Sequence, residues 1–267
     1  MIDDPKYNTL KEILLSLGNV AIAFSGGLDS TFLLTVARKT IGNHLVALTL
    51  KTPYIPDWEI KEAKTTCIAL KVRHIILDSE IPDSIRHNPE NRCYLCKSYV
   101  FDRFVAEAGR LGDYQVVDGT NLDDLKDFRP GIQALKELGI RSPLLESNIT
   151  KDDIRKFSKS LGLTIWNKPA YACLLTRIPY HVKINLEELS RIEHAELFLH
   201  QMGFKESRVR SHDTTARIEL NPMQFNHILK EPVRQKIVDE FRKLGFNYIA
   251  IDLEGYRTGS MNIKKNT

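Results

Sequence analysis

The chain has 267 residues, 42% of them hydrophobic and 27% charged, enough to bury a sizeable core and long for one small domain. Its net charge of +4 is spread evenly, since residues 182–267 hold 14 Lys and Arg against 12 Asp and Glu, which leaves +2 to each part. Such a balance suits small anions and argues against a large nucleic-acid footprint, and no apolar run approaches the ~18 residues of a membrane span.

The opening "MIDDPKYNTLKE" is charged and lacks a signal-peptide core, so a cytoplasmic protein with reduced thiols is expected. "NVAIAF" (19–24) predicts a buried strand, and "STFLLTVARKTI" (30–41) has helical spacing of apolar residues. "HLVALTLKT" (44–52) is a second strand, "WEIKEAKTTCIALK" (58–71) a helix and "VRHIILD" (72–78) a third strand. "CYLCKSYVFDRFVAEAGRLG" (93–112) is helical, "YQVVDGT" (114–120) a fourth strand, and "TKDDIRKFSKSLGL" (150–163) a helix capped by Thr150 with Asp153 three residues on. Strands alternating with such helices predict an α/β fold with a parallel sheet wrapped on both faces, whose ligands sit at the carboxyl ends of the strands.

After residue 180 the pattern changes. "LEELSRIEHAELFLHQMG" (186–203) is an amphipathic helix and "SRVRSHDTTARIEL" (207–220) two short strands around a tight turn. One or two helices follow in 221–245, and "FNYIAIDL" (246–253) closes as a strand. The expected division is therefore 1–180 and 181–267, a parallel-sheet domain and a smaller C-terminal α+β domain, with the boundary in "IPYHVKIN".

Between the first strand and its helix lies "FSGGLDS". Two glycines let main-chain amides approach an anion, two serine hydroxyls add donors, and the following helix aims its positive end there. An ordinary Ser/Gly/Asp turn is the alternative, and the spacing is not that of a Walker A loop. "SGGLDS" resembles the S-G-G-x-D-S loop of the PP-loop ATP pyrophosphatases, the adenine nucleotide α-hydrolase-like fold. The resemblance implies ATP and Mg²⁺, with Ser25, Gly26, Gly27, Asp29 and Ser30 as phosphate or magnesium contacts. It further implies adenine held by the backbone near Thr49 and Leu50, and a second nucleotide turn in "DGTN" at Gly119 and Thr120. Attachment of AMP turns the oxygen of a carboxylate into a good leaving group, and the sequence then has to provide a nucleophile.

Four cysteines are candidates. Cys67 falls on the apolar pattern of its helix and reads as a buried, inert thiol. Cys93 and Cys96 form a C-x-x-C that reads as a pair of half-buried helix cysteines, a dithiol redox pair, or part of a larger set with Cys173. Three ligands fall short of the four of a structural zinc, but three thiolates suit a [4Fe-4S] cluster with one iron open to an external sulfide.

"RPGIQALKELGIRSPLLE" (129–146), "KDDIRKFSKSLGL" (151–163), "WNKPAYACLLTRIPY" (166–180) and "EGYRTGSMN" (254–262) together resemble the LarE family of ATP-dependent sulfur transferases across nearly the whole chain. The resemblance implies adenylylation of a carboxylate of a pyridinium dicarboxylate mononucleotide in nickel-pincer cofactor synthesis. Cys173 stands where that family's sulfur-donating cysteine does, and Cys93 and Cys96 liken the chain to its three-cysteine branch, in which all three hold the cluster. His181, where members often carry glycine, is a departure. Arg208 and Arg210 stand two apart on one strand face, and Arg257 lies beside glycines, which reads equally as a phosphate grip or as a solvated face paired with carboxylates; the resemblance implies the former, since the family binds its substrate phosphate with arginines at matching positions. Arg177 and Lys97 are read as neighbours that lower thiolate pKa values. The implied partners are a small-molecule carboxylate, sulfide or another sulfur donor, and further copies of the chain as a homo-oligomer, with no membrane and no nucleic acid. A tRNA thiolase, a sacrificial Cys173 without a cluster, and a non-catalytic nucleotide-binding module are the alternatives.

Overall fold

The computed structural model describes residues 2–126, 130–168 and 171–257. By contacts the chain forms two compact units, Met1–Ile85 with Asn91–Tyr171, and Arg86–Glu90 with Ala172–Thr267. The division at Tyr171–Ala172 precedes the stretch where sequence pattern alone put it.

The first unit opens with a helix absent from the sequence reading, α1 (Pro5–Leu17). Asp4 caps it by accepting from the Lys6 amide, a proline stands in its first turn, and Tyr7, Leu10 and Leu14 are its buried stripe. Then come β1 (Val20–Ala23), α2 (Leu28–Ile41), β2 (Leu45–Lys51), α3 (Asp57–Leu70) and β3 (Arg73–Asp78). They are followed by α4 (Arg92–Leu111), β4 (Gln115–Val117), α5 (Pro130–Glu137), α6 (Pro143–Glu146) and α7 (Lys151–Ser160). The four strands are parallel in the order β3-β2-β1-β4.

Alternate residues serve opposite faces of this sheet. Val20, Ile22, Leu45 and Ala47 pack with the apolar sides of α1, α2 and α7, whereas Ala21, Val46, Leu48 and Leu50 pack with Phe101, Phe104 and Leu135 of α4 and α5. A sheet covered on both faces explains why β1 and β2 read as unbroken apolar runs. From β1 the chain winds outward through β2 to β3, then returns to lay β4 on the other side of β1. The strand order thus reverses between β1 and β4, and the crevice at their carboxyl ends is where such sheets take ligands.

The second unit holds α8 (Leu186–Gln201), β5 (Arg208–His212), β6 (Thr215–Glu219), α9 (Phe225–Ile228), α10 (Val233–Lys243) and β7 (Tyr248–Ile251). Its sheet runs β5-β6-β7, with β5 and β6 an antiparallel hairpin and β7 parallel to β6. Leu199, Phe204, Val209, Ile218, Phe241 and Phe246 form its core. The short segment 86–90 belongs here because buried Asn88 donates to the carbonyls of Leu175, Ile178 and Pro179, and its own carbonyl accepts from the His181 amide. Among the described residues no helix is long and apolar enough to cross a membrane.

Candidate nucleotide and sulfur-transfer site

The glycine turn sits at the carboxyl end of β1. Gly26 has φ +71°, a region that strains any residue with a Cβ, and an added Cβ would lie 3.3 Å from that of Ala63 on α3. Gly27 precedes α2 and gives it no side-chain cap. The exposed Ser25 hydroxyl lies 3.2 Å from that of Ser30 and accepts from the Gly27 amide at 3.3 Å, while Ser30 donates to the Gly27 carbonyl at 3.3 Å. These contacts are longer than the roughly 2.7–2.8 Å usual between a hydroxyl donor and oxygen and the roughly 2.9–3.0 Å usual for an amide donor, so an anion can replace them at small cost.

The turn after β4 meets the same point. Gly119 passes so near α2 that a Cβ there would lie 3.2 Å from the Ser30 amide nitrogen. Buried Asp118 organises this turn: it accepts from the Thr120 amide at 3.2 Å and from the Thr120 and Ser142 hydroxyls, with the Lys97 ammonium 3.7 Å away. The Nδ2 of Asn121, buried, has no hydrogen-bond partner, an open donor beside the bare backbone. A close-approach glycine on each turn and an orphaned amide just beyond β4 fit a nucleotide's phosphates. Asp29 fits Mg²⁺, which needs only one or two carboxylates besides phosphate and water.

Two lysines complete the loop, and the sequence reading missed both. The Lys151 ammonium sits on the Asp29 carboxylate, 2.7 Å from Oδ1. The capping box Thr150–Asp153 starts α7 at that lysine, and Asp123 accepts from its amide. The Lys168 ammonium donates to the Gly26 carbonyl at 2.9 Å and pairs with Glu62 at 2.6 Å. Lys168 opens the K-P-x-x-x-C segment, which was the available signal.

Thr49 and Leu50 lie where β2 runs past the end of β1. The Thr49 hydroxyl gives its one proton to the Phe24 carbonyl at 2.6 Å, so it accepts from His74 Nε2 at 2.8 Å. Burial, with Lys64 nearby, pushes His74 below its ordinary pKa, and it stands neutral. The Thr49 side chain is thereby committed, which leaves the backbone as what this strand end offers a base.

All four cysteines are free thiols. Cys67 is buried and its pKa is pushed up to about 12 by desolvation, which removes it as a thiolate. Cys93 and Cys96 lie three apart on successive turns at the start of α4, hence on one side of it, with Cys93 exposed and Cys96 half-buried. The hydroxyl of buried Tyr54 lies 3.3 Å from the Cys96 sulfur. Cys173, half-buried, belongs to the second unit. Its carbonyl accepts from the Thr176 amide, the Thr176 hydroxyl and Arg177. The three-thiol donor set suits iron in its chemistry. Among the described residues, however, no group of three His, Cys, Asp or Glu side chains is gathered for a metal ion.

Arg177 grips Glu196 through Nε and Nη2, both at 2.9 Å, and turns Nη1 to the carbonyls of Ala172 and Cys173. Burial alone would raise the Glu196 carboxyl, but Arg177, Arg208 and the Val209 amide together hold it below its usual range. Lys97, next to Cys96, is bound to Asp118 instead. Arg208 and Arg210 do share a strand face, yet they are 2% and 4% exposed. Arg208 stacks over the Tyr256 ring at 5.0 Å, and Arg210 pairs with buried Glu219 at 2.6 Å and with the Thr176 carbonyl. Arg257 is half exposed in a pair with Glu254, and Gly259 beyond it lies outside the described residues.

No family model matches the chain. It is 40% identical over 261 residues to the uncharacterized protein slr1717 of Synechocystis sp., 97% of each chain. It is 34% identical over 260 residues to the pyridinium-3,5-bisthiocarboxylic acid mononucleotide synthase of Lactiplantibacillus plantarum, 96% of this chain and 94% of that one. The uncharacterized protein MJ0830 of Methanocaldococcus jannaschii is 36% identical over 255 residues, 94% of this chain and 95% of its own.

Proposed function

The chain belongs to the LarE family, and on that premise we propose that it is an ATP-dependent sulfur transferase making a thioacid from a carboxylate of a pyridinium dicarboxylate mononucleotide. The observation that carries this is the meeting of two bare glycine turns at the β1/β4 switch point, where Gly119 abuts the start of α2. ATP is the ligand read there, held by Ser25, Gly26, Gly27 and Ser30, with Asp29 as the magnesium carboxylate and the β2 end at Thr49 and Leu50 for adenine.

The chemistry balances in two steps. A substrate carboxylate oxygen attacks the α-phosphorus of ATP, and the bond to pyrophosphate breaks with its electron pair leaving on pyrophosphate. A sulfur nucleophile then attacks the acyl carbon, and AMP departs. On this reading the substrate's phosphate falls first to Arg257, whose exposed pair with Glu254 is the easiest to exchange, and Arg208 and Arg210, buried and already partnered, must give up those contacts to join it. Arg177 holds the turn that presents Cys173.

Cys93, Cys96 and Cys173 are the thiolates proposed to hold a [4Fe-4S] cluster, which when bound supplies an open iron able to carry a replaceable sulfide. The second reading uses Cys173 alone: its sulfur forms the thioester, then the Cβ–S bond breaks as the Cα proton is lost, leaving dehydroalanine. An anaerobic ultraviolet–visible spectrum with iron and sulfide counts separates the two. The cluster reading expects a brown protein with about four iron and at least four sulfide per chain, lost in Cys93→Ala. A colourless, iron-free protein whose Cys173 becomes dehydroalanine after one turnover establishes the sacrificial route.

A further inference from the structure

Two ammonium groups stand on the glycine turn, each brought there by a segment more than a hundred residues away in sequence. Lys168 has three N–H donors, of which the Gly26 carbonyl and Glu62 take two. The Lys168 side chain is 16% exposed, but Glu62 is 52% exposed, so that ion pair is a weak one facing water. The Gly26 contact holds the cation on the backbone of the glycine turn itself. Lys151 closes the other end of the loop on Asp29. The turn needs neither lysine for its shape, which Gly26 and the packing of Ala63 already impose. A loop built around a polyanion does need mobile positive charge on it, and a lysine's flexible stem supplies charge that can change partner.

We infer that Lys168 and Lys151 are the cationic grips on the polyphosphate end of the nucleotide. Lys168 keeps the Gly26 carbonyl and exchanges Glu62 for a phosphate oxygen, and Lys151 exchanges Asp29 for another. As the bond to the α-phosphorus breaks, the electron pair and its charge collect on pyrophosphate, where two ammonium groups stabilise it. The inference rests on the nucleotide reading above and adds to it the residues that hold the leaving group. It also makes Lys168, five residues ahead of Cys173, the point where nucleotide occupancy touches the segment that leads to the thiol.

Calorimetric titration of the full chain with inorganic pyrophosphate and, separately, with AMP tests this. Lys168→Met and Lys151→Met are each expected to weaken pyrophosphate about 10- to 100-fold, the scale of a charge-assisted hydrogen bond, and to leave AMP within about threefold. Glu62→Gln, which removes only the competing carboxylate, is expected to bind pyrophosphate as tightly as the parent or more so. Lys168→Arg is expected to keep most of the affinity, and these two variants decide the matter if Lys168→Met does not fold. Pyrophosphate affinity unchanged in both methionine variants, an equal loss of AMP, or weaker pyrophosphate binding in Glu62→Gln overturns the assignment while the nucleotide site stands. A parent protein that binds neither ligand removes the nucleotide reading, and the inference with it.

Discussion

Cys173→Ala is expected to abolish thioacid formation, a loss of at least about 10³-fold, while pyrophosphate is still released in dependence on the acid substrate and water, attacking the acyl adenylate in place of sulfur, releases AMP and returns the acid. Both sulfur sources considered above run through this thiol, one as a ligand and one as the donor itself, so the loss does not depend on which operates. Activation is expected to survive because the groups assigned to it, on the glycine turns and at Lys151 and Lys168, make no use of the Cys173 thiol. Quantifying AMP and thioacid in the same reaction by mass spectrometry reads both halves. Thioacid produced within tenfold of the parent rate would remove Cys173 from the chemistry.

Arg177→Met is expected to destabilise the second unit by about 3–5 kcal/mol at pH 7, because it strands the buried Glu196 carboxylate without its bidentate partner. The pH dependence follows from the direction of the Glu196 shift. Its folded pKa is depressed below the unfolded value near 4.3, so the stability it contributes is present above that value. That contribution is lost as pH falls through the folded pKa. The Arg177→Met penalty is therefore largest at neutral pH and shrinks in acid as Glu196 takes a proton and no longer needs the cation. Urea unfolding at several pH values measures it. A penalty equal at pH 7 and in acid, or none at all, contradicts the burial argument. Arg177 also donates to the Cys173 carbonyl, so the same variant loosens the turn carrying the thiol.

Strands β1 and β2 were legible because coverage on both faces leaves short, nearly continuous apolar runs bounded by turn residues. The glycine turn was legible for a related reason: bare backbone between a strand and a helix has few uses. Helix α1 was not, since its stripe of Tyr7, Leu10 and Leu14 is sparse and its charged flanks mask it. The two arginines of β5 show the limit from the other side. Alternation marks a shared face but not whether that face is wet, and burial is compensated by Glu219, which pairs with Arg210, and by Glu196, whose charge Arg208 faces. Segment 86–90 joined the second unit through Asn88, whose partners lie 87 to 91 residues away, a distance over which local pattern carries nothing. Lys151 and Lys168 were missed for the same reason, although each stood next to a feature already marked, a helix cap and a proline motif. Three thiols were legible by type, and exposure together with the raised Cys67 pKa sorts them from the fourth.

On the proposed function, this chain couples ATP cleavage to replacement of a carboxylate oxygen by sulfur. Anaerobic incubation with Mg²⁺, ATP, a sulfide source and pyridinium-3,5-biscarboxylic acid mononucleotide, followed by mass spectrometry of the small molecules, tests it most directly. One oxygen-to-sulfur exchange is expected for each AMP and each pyrophosphate formed, with none when ATP is omitted. Thioacid formed without ATP, or AMP and pyrophosphate released with the acid's mass unchanged, would contradict it.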